Sequence, residues 1–220
     1  MKTIKCVKLD MLKSKSVFKF LPFFLALCLA ISLATENAPS SWGILYMIFA
    51  GLIIVSTPFY AMSNISEVFT GMLPVTTANR VFGRYLFGAA MMTVSALLGV
   101  AAEIIRMTIY GLASAKGIWA LAAAFFGASL VVMAVEFLVL YFVTIRNAQI
   151  LSIVRMAPAF VLFFGANALM DAGVAEGGPG GILQWINRNM TVLSLGILAA
   201  GVLFTILCAV ITWLHEKSKY

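Results

Sequence analysis

The sequence predicts an all-α integral membrane protein with six transmembrane helices and with both termini in the cytoplasm. Of its 220 residues, 63% are hydrophobic and only 10% are charged. Soluble domains carry about 25% charged residues, so these few charges could not cover the surface of a soluble domain of this size. Composition, long apolar runs and the placement of the cations together indicate a chain that folds in lipid.

Six apolar runs are long enough to cross a membrane as helices. A hydrocarbon core about 30 Å thick needs about 20 helical residues, and unpaired backbone groups exclude open strands in lipid. We predict one transmembrane domain over residues 1–220, with an amphipathic cytoplasmic helix over 1–16 and a cytoplasmic segment over 63–84. The predicted spans are Val17–Ala34, Trp42–Met62, Tyr85–Ile105, Ile118–Thr144, Ala157–Ala175 and Thr191–Leu214.

The positions of lysine and arginine set the orientation of these spans. With the N-terminus inside, all of the 15 cations except Arg106, Lys116 and Arg188 lie in cytoplasmic segments. This bias follows the positive-inside rule, and we expect a multi-pass protein of the cell membrane, of bacterial origin. No basic stripe interleaved with aromatics appears, so nucleic-acid binding is excluded.

The segment Asp171–Asn189, predicted to lie on the outer side, contains a Gly-Gly-Pro-Gly-Gly run at 177–181. Such a run breaks a helix, although the sequence on both sides stays apolar. We predict a re-entrant hairpin in the outer leaflet, with a plain flexible turn as the alternative.

Motifs of known catalytic sites are missing from the sequence. It has no phosphate-binding loop ending in Gly-Lys-Ser or Gly-Lys-Thr, no His-Glu-x-x-His and no Gly-x-Ser-x-Gly. Its only histidine is His215, and the scattered Cys6, Cys28 and Cys208 show no metal or disulfide spacing. We therefore expect no enzyme activity, cofactor or metal in this chain.

Ionisable residues inside the predicted spans are few. Glu136 is the deepest, and a carboxyl at that depth serves either as a polar contact between helices or as a pathway residue. Glu103 and Arg106 are three residues apart, a spacing that places them on one helix face and predicts an ion pair.

The inner segment Ser63–Gly88 reads SNISEVFTGMLPVTTANRVFGRYLFG. The pattern predicts a short helix over Glu67–Met72, a break at Pro74 and a new helix from Thr76 that enters the third span. Such a helix–break–helix forms a compact knob suited to docking into another protein. The residues that we expect to act there are Glu67, Phe69, Leu73, Pro74, Thr76, Arg80 and Arg84.

This segment resembles the permease subunits of ATP-binding-cassette exporters of the type-2 permease family. In that family a Leu-Pro-[Val/Ile]-[Ser/Thr] turn follows the second span, and Gly-x-Tyr-Leu begins the third. The corresponding residues are 73–76 and 83–86, and the leader triplet Lys8, Leu9 and Asp10 is also similar to the family's. A basic–acidic pair usual in relatives is replaced here by Thr77, Ala78 and Asn79.

The resemblance implies a fold like that of type V exporters, with transport and ATP hydrolysis carried out by different subunits. Two permease chains, as a homodimer or heterodimer, would form the pathway, and ATP and Mg would bind to separate ATPase subunits. The Glu67–Tyr85 segment would be the coupling helix seated in the ATPase. A re-entrant hairpin before the last span is also part of this pattern.

Cargo and assembly stay open at this level. The apolar spans favour amphipathic peptides or lipophilic compounds as cargo, with membrane lipid as a further partner. A stand-alone secondary transporter or channel is the alternative function. Two groups of small residues suit either dimerisation or packing within one subunit, namely Gly88, Ala89, Ala90 and Gly99, and Gly127, Ala128 and Ser129.

Overall fold

The computed structural model describes residues 2–34, 42–60, 75–111, 116–142 and 189–218, and every regular element in these ranges is a helix. The predicted all-α class is therefore confirmed for the described residues. In chain order the helices are α1 (Lys2–Lys13), α2 (Lys15–Phe18), α3 (Leu21–Ala34), α4 (Trp42–Tyr60), α5 (Thr77–Tyr110), α6 (Lys116–Phe142) and α7 (Met190–Ser218).

Within the described ranges, three helices are long and apolar enough to cross a membrane. They are Thr77–Tyr110, Ile118–Phe142 and Met190–Ser218, and they correspond to the third, fourth and sixth predicted spans. The apolar helices Leu21–Ala34 and Gly43–Phe59 are shorter. The predicted fifth span, Ala157–Ala175, and the predicted hairpin up to residue 188 lie outside the described residues.

The predicted first span, Val17–Ala34, contains a break in its helix. The chain turns at Lys19 and Phe20, so that α2 ends at Phe18 and α3 begins at Leu21. Pro22 explains the break, because it has no N–H to donate to the carbonyl of Phe18 and so cannot continue the helix. The N–H of Phe20 instead donates to Val17 O at 2.9 Å, as in a tighter turn.

Helix α5 is unbroken over 34 residues, which corresponds to about 51 Å at 1.5 Å per residue. Thr76 caps its start, with Oγ1 accepting from the N–H of Asn79, and Gly111 ends it in the left-handed region at φ 64°. The predicted new helix near Thr76 is confirmed. Because a hydrocarbon core is about 30 Å thick, the helix is long enough to extend beyond it.

Helices α6 and α7 approach each other most closely where two glycines meet. A Cβ added at Gly127 would lie 2.7 Å from the Cα of Leu198, and one at Gly201 would overlap the carbonyl oxygen of Gly127. At this crossing Thr205 Oγ1 donates to Leu130 O at 3.3 Å. Small residues therefore let the two backbones touch.

The glycines in both predicted small-residue groups are used inside this chain. A Cβ at Gly88 would lie 2.6 Å from Met133 Sδ on α6, and one at Gly99 would lie 2.8 Å from the Cα of Ile44 on α4. Gly127 packs on α7, as described above. Of the two interpretations offered for these glycines, the structure supports packing within one subunit.

Candidate functional site

Helix α1 lies along the first turns of α5. Thr3 Oγ1 donates to Asn79 Oδ1 at 2.8 Å, and a Cβ added at Gly83 would lie 2.7 Å from the Cβ of Cys6. The α1 residues in contact recur every three or four positions, as expected for one face of a helix. The N-terminal helix is thus docked on the part of α5 that directly follows the 63–74 segment.

The last contact along this face is a buried ion pair between Asp10 and Arg84. Arg84 Nε donates to Oδ2 and Nη2 to Oδ1, each at 3.5 Å. Asp10 is 4% exposed and Arg84 is 2% exposed. Removing two charges from water is costly, and paired donors and acceptors partly offset that cost.

Two aromatic rings also lie beside the Arg84 guanidinium. Its Cζ lies 4.3 Å from the ring centroid of Phe59 on α4 and 5.8 Å from that of Tyr141 on α6. The negative faces of such rings attract a cation, most strongly when water is excluded. Asp10, Phe59, Arg84 and Tyr141, here called the Arg84 junction, therefore join four helices at one point.

The next residue of α5 extends the junction to α7. Tyr85 Oη and Thr212 Oγ1 are 3.0 Å apart and share a hydrogen bond, while the Tyr85 ring lies 5.2 Å from that of Phe137. Through two consecutive residues, α5 is thus bonded to the N-terminal helix on one side and to the last helix on the other.

Positive charge exceeds negative charge around the junction. Lys13 and Arg80 lie near Arg84, and among the described residues the carboxylates that act on this region are Asp10 and Glu216. Burial is the main cause that lowers the pKa of Lys13, and the charge of Arg84 lowers it further. Lys13 Nζ is shielded from water and has no hydrogen-bond partner in the described part of the chain.

The surroundings of the junction also affect the Cys6 thiol. Burial raises its pKa, and the carboxylate of Asp10 adds to that shift. A thiol with a raised pKa is a poor nucleophile. Among the described residues no group of three or more His, Cys, Asp or Glu side chains is placed to hold a metal ion.

Comparison with known proteins decides what kind of molecule contains this junction. The family model described as ABC-2 family transporter protein matches residues 6–215, which include most of α1 and all of the later described helices except the last few residues of α7. The chain belongs to the ABC-2 transporter family. No curated protein and no solved structure matches the chain.

Membership agrees with the resemblance seen in the sequence. As an ABC-2 family protein, the chain is a permease-type membrane component, and membership implies association with an ATP-binding cassette component. Two of the three resembling segments, Lys8–Asp10 and Gly83–Leu86, are far apart in sequence but meet in the fold through Asp10 and Arg84.

The structure of this ABC-2 family protein places three of the predicted coupling residues. Thr76 is exposed and caps α5, Arg80 is half-buried one turn later, and Arg84 is buried in the junction. Glu67, Phe69, Leu73 and Pro74 lie outside the described residues. Contact of this segment with an ATPase stays a prediction.

Glu103, Arg106 and Glu136, the ionisable residues considered in or beside the predicted spans, are also buried. Arg106 Nε donates to Glu103 Oε1 at 3.0 Å, which confirms the predicted pair, with exposures of 1% and 2%. Glu136 is 2% exposed within α6. Its burial is compatible with both predicted roles, a contact between helices or a pathway residue.

Asp10, Phe59 and Tyr141 were not predicted as site residues. For Asp10 a signal was present, because it is the only acidic residue among residues 1–35 and shares a helix face with Thr3 and Cys6. Phe59 and Tyr141 carry no such signal, since an aromatic residue near a helix end is common in membrane proteins.

Proposed function

We propose that this chain is the transmembrane permease subunit of an ATP-driven exporter and couples to a separate ATPase through residues 63–84. The observation that carries the proposal is the ABC-2 family match over 6–215. The sequence has no phosphate-binding loop of its own, so ATP and Mg would bind to the partner subunit.

The contacts of the Arg84 junction support a mechanical connection between the coupling segment and the neighbouring helices α1, α4 and α6. The predicted coupling segment, residues 63–84, includes the first turns of α5 and ends at Arg84. A shift of the first turns of α5 acts on α1 through Asp10, on α4 through Phe59 and on α6 through Tyr141. Packed and hydrogen-bonded elements of this kind are the physical means by which coupling travels.

The proposal includes a second permease chain and an apolar or amphipathic cargo. The long described helices are strongly apolar, and a pathway between such helices suits amphipathic peptides or lipophilic compounds. Family membership favours this function over a stand-alone secondary transporter or channel.

The coupling role is tested by co-purification with ATP-binding cassette subunits from the same organism. We expect Leu73→Asp and Arg80→Asp each to lower retention of the ATPase and its permease-stimulated hydrolysis by about tenfold or more, because both place a carboxylate in the contact. Lys217→Asp makes a charge change like that of Arg80→Asp at the exposed end of α7 and should leave both readouts unchanged.

Two results would contradict the proposal. Full ATPase retention and stimulation by Leu73→Asp and Arg80→Asp would remove residues 63–84 from the contact. Ion-gradient-driven flux by the purified chain without any ATPase would support the secondary transporter instead.

A further inference from the structure

Helix α1 has two faces with different roles, and only one of them is explained by the fold. One face packs on α5 through the contacts described above. The opposite face is open in this chain. Its large apolar side chains are strongly exposed, with values of 67% for Ile4, 54% for Met11 and 59% for Leu12.

Lysines alternate with these apolar side chains on the open face. Lys5 and Lys8 are exposed there, and Lys8 lies four residues from both Ile4 and Leu12, a spacing that places these three side chains on one helix face. Lys15 is exposed just beyond α1, in α2. The only acidic residue of the first 35, Asp10, is turned inward to Arg84. The open face is therefore cationic and apolar at once.

The exposed surface of α7 from Met190 to Leu214 lacks the lysines that are found on the open face of α1. Its exposed residues include Leu203, Ile206 and Leu207, and its sequence from Met190 to Leu214 contains no charged residue. Such a surface suits the hydrocarbon core. A face that mixes lysines with apolar side chains suits the headgroup boundary, where the apolar groups enter lipid and the ammonium groups reach phosphate.

Chain connectivity holds α1 at that boundary. Ser14, the short helix α2 and the turn at Lys19 and Phe20 are all that separate α1 from the apolar helix α3. Phe20 and Phe23, around the start of α3, are 60% and 63% exposed. The open face of α1 is thus followed directly in the chain by an exposed apolar surface.

We propose that the open face of α1 binds the anionic phospholipid headgroups of the leaflet on the N-terminal side of the membrane. The lysines supply the preference for anionic over zwitterionic lipid, since each cation near a negatively charged surface adds to the attraction. Ile4, Met11 and Leu12 enter the acyl boundary. The inner face stays on α5 through Asp10 and Arg84, so lipid binding and docking use opposite sides of one helix.

The test uses the full chain in nanodiscs of phosphatidylcholine alone or mixed with phosphatidylglycerol, and measures backbone amide hydrogen exchange. We expect the amides of α1 to exchange about tenfold more slowly with phosphatidylglycerol, the scale expected of several lysines near an anionic surface. High salt should reduce this difference. Inorganic phosphate added to the phosphatidylcholine discs should not reproduce it.

Two variants with matched positions separate charge from side-chain identity. Lys5→Gln/Lys8→Gln should lose most of the slowing by phosphatidylglycerol, whereas Lys5→Arg/Lys8→Arg should keep it. Exchange in α5 reports whether each variant is folded. This readout needs no ATPase, so its failure is separate from failure of the proposed coupling function.

Three results would overturn the proposal. They are equal exchange of α1 in the two lipids, full slowing retained by the glutamine variant, and slowing that appears only when an ATPase subunit is added. The last result would assign the open face to a protein partner.

Discussion

At the scale of single residues, the Arg84 guanidinium lies away from water beside the carboxylate of Asp10 and the rings of Phe59 and Tyr141. A buried ion pair adds little net stability compared with apolar residues of the same size, but loss of one partner leaves an uncompensated charge. Asp10 lies on a short N-terminal helix, so the stability of the junction depends on that helix remaining docked.

Asp10→Leu should therefore lower the free energy of unfolding by about 3 kcal/mol or more, because it removes the Asp10 carboxylate from the buried Arg84 charge. Asp10→Leu/Arg84→Met should recover most of this loss, since neither charge then remains. Denaturant unfolding of the purified chain in detergent measures both. An unchanged midpoint for Asp10→Leu would show that the pair does not stabilise the fold.

Lys13 should make stability depend on pH. Its pKa is lowered in the folded chain, so the unfolded chain holds the proton more tightly and stability rises with pH towards the usual lysine range. Lys13→Met should raise Tm at neutral pH, and this gain should shrink as the pH approaches about 10. Lys15→Met changes an exposed lysine and is the control. A lower Tm for Lys13→Met would contradict the argument.

At the scale of elements, the helices are held together by close backbone approach as much as by large side chains. The α6–α7 crossing at Gly127 and Gly201 leaves no room for a Cβ at either glycine. Sequence alone placed small residues on these helices but could not say whether the partner was another helix of this chain or a second copy.

Gly201→Ala should separate α6 from α7 and lower the free energy of unfolding by about 1–3 kcal/mol, as for other overpacked sites. Gly196→Ala is the matched control on the same helix, because nothing in the described part of the chain lies within 4 Å of a Cβ there. It should be neutral or stabilise by up to about 1 kcal/mol. Thermal unfolding in detergent compares them, and equal effects would argue against the close crossing.

At the scale of the whole molecule, apolar runs and cation positions predicted the all-α membrane class because lipid restricts the backbone to few solutions. Pro22 is visible in the sequence, but it lies within an apolar run that was interpreted as one span. The break in the helix was therefore not predicted. The Asp10–Arg84 contact could not be predicted in the same way, since a separation of 74 positions depends on how the helices pack. The family resemblance identified both segments without showing that they touch.

Residues 2–34 are bonded to α5 near both of its ends. Thr3 Oγ1 donates to Asn79 near one end of α5, and Tyr110 Oη donates to Leu33 O at 2.7 Å at the other end. A segment fixed at two separated points cannot slide along its support while both attachments hold. Axial sliding of α5 along the N-terminal segment would have to break both of these bonds, as well as the Asp10–Arg84 pair between them.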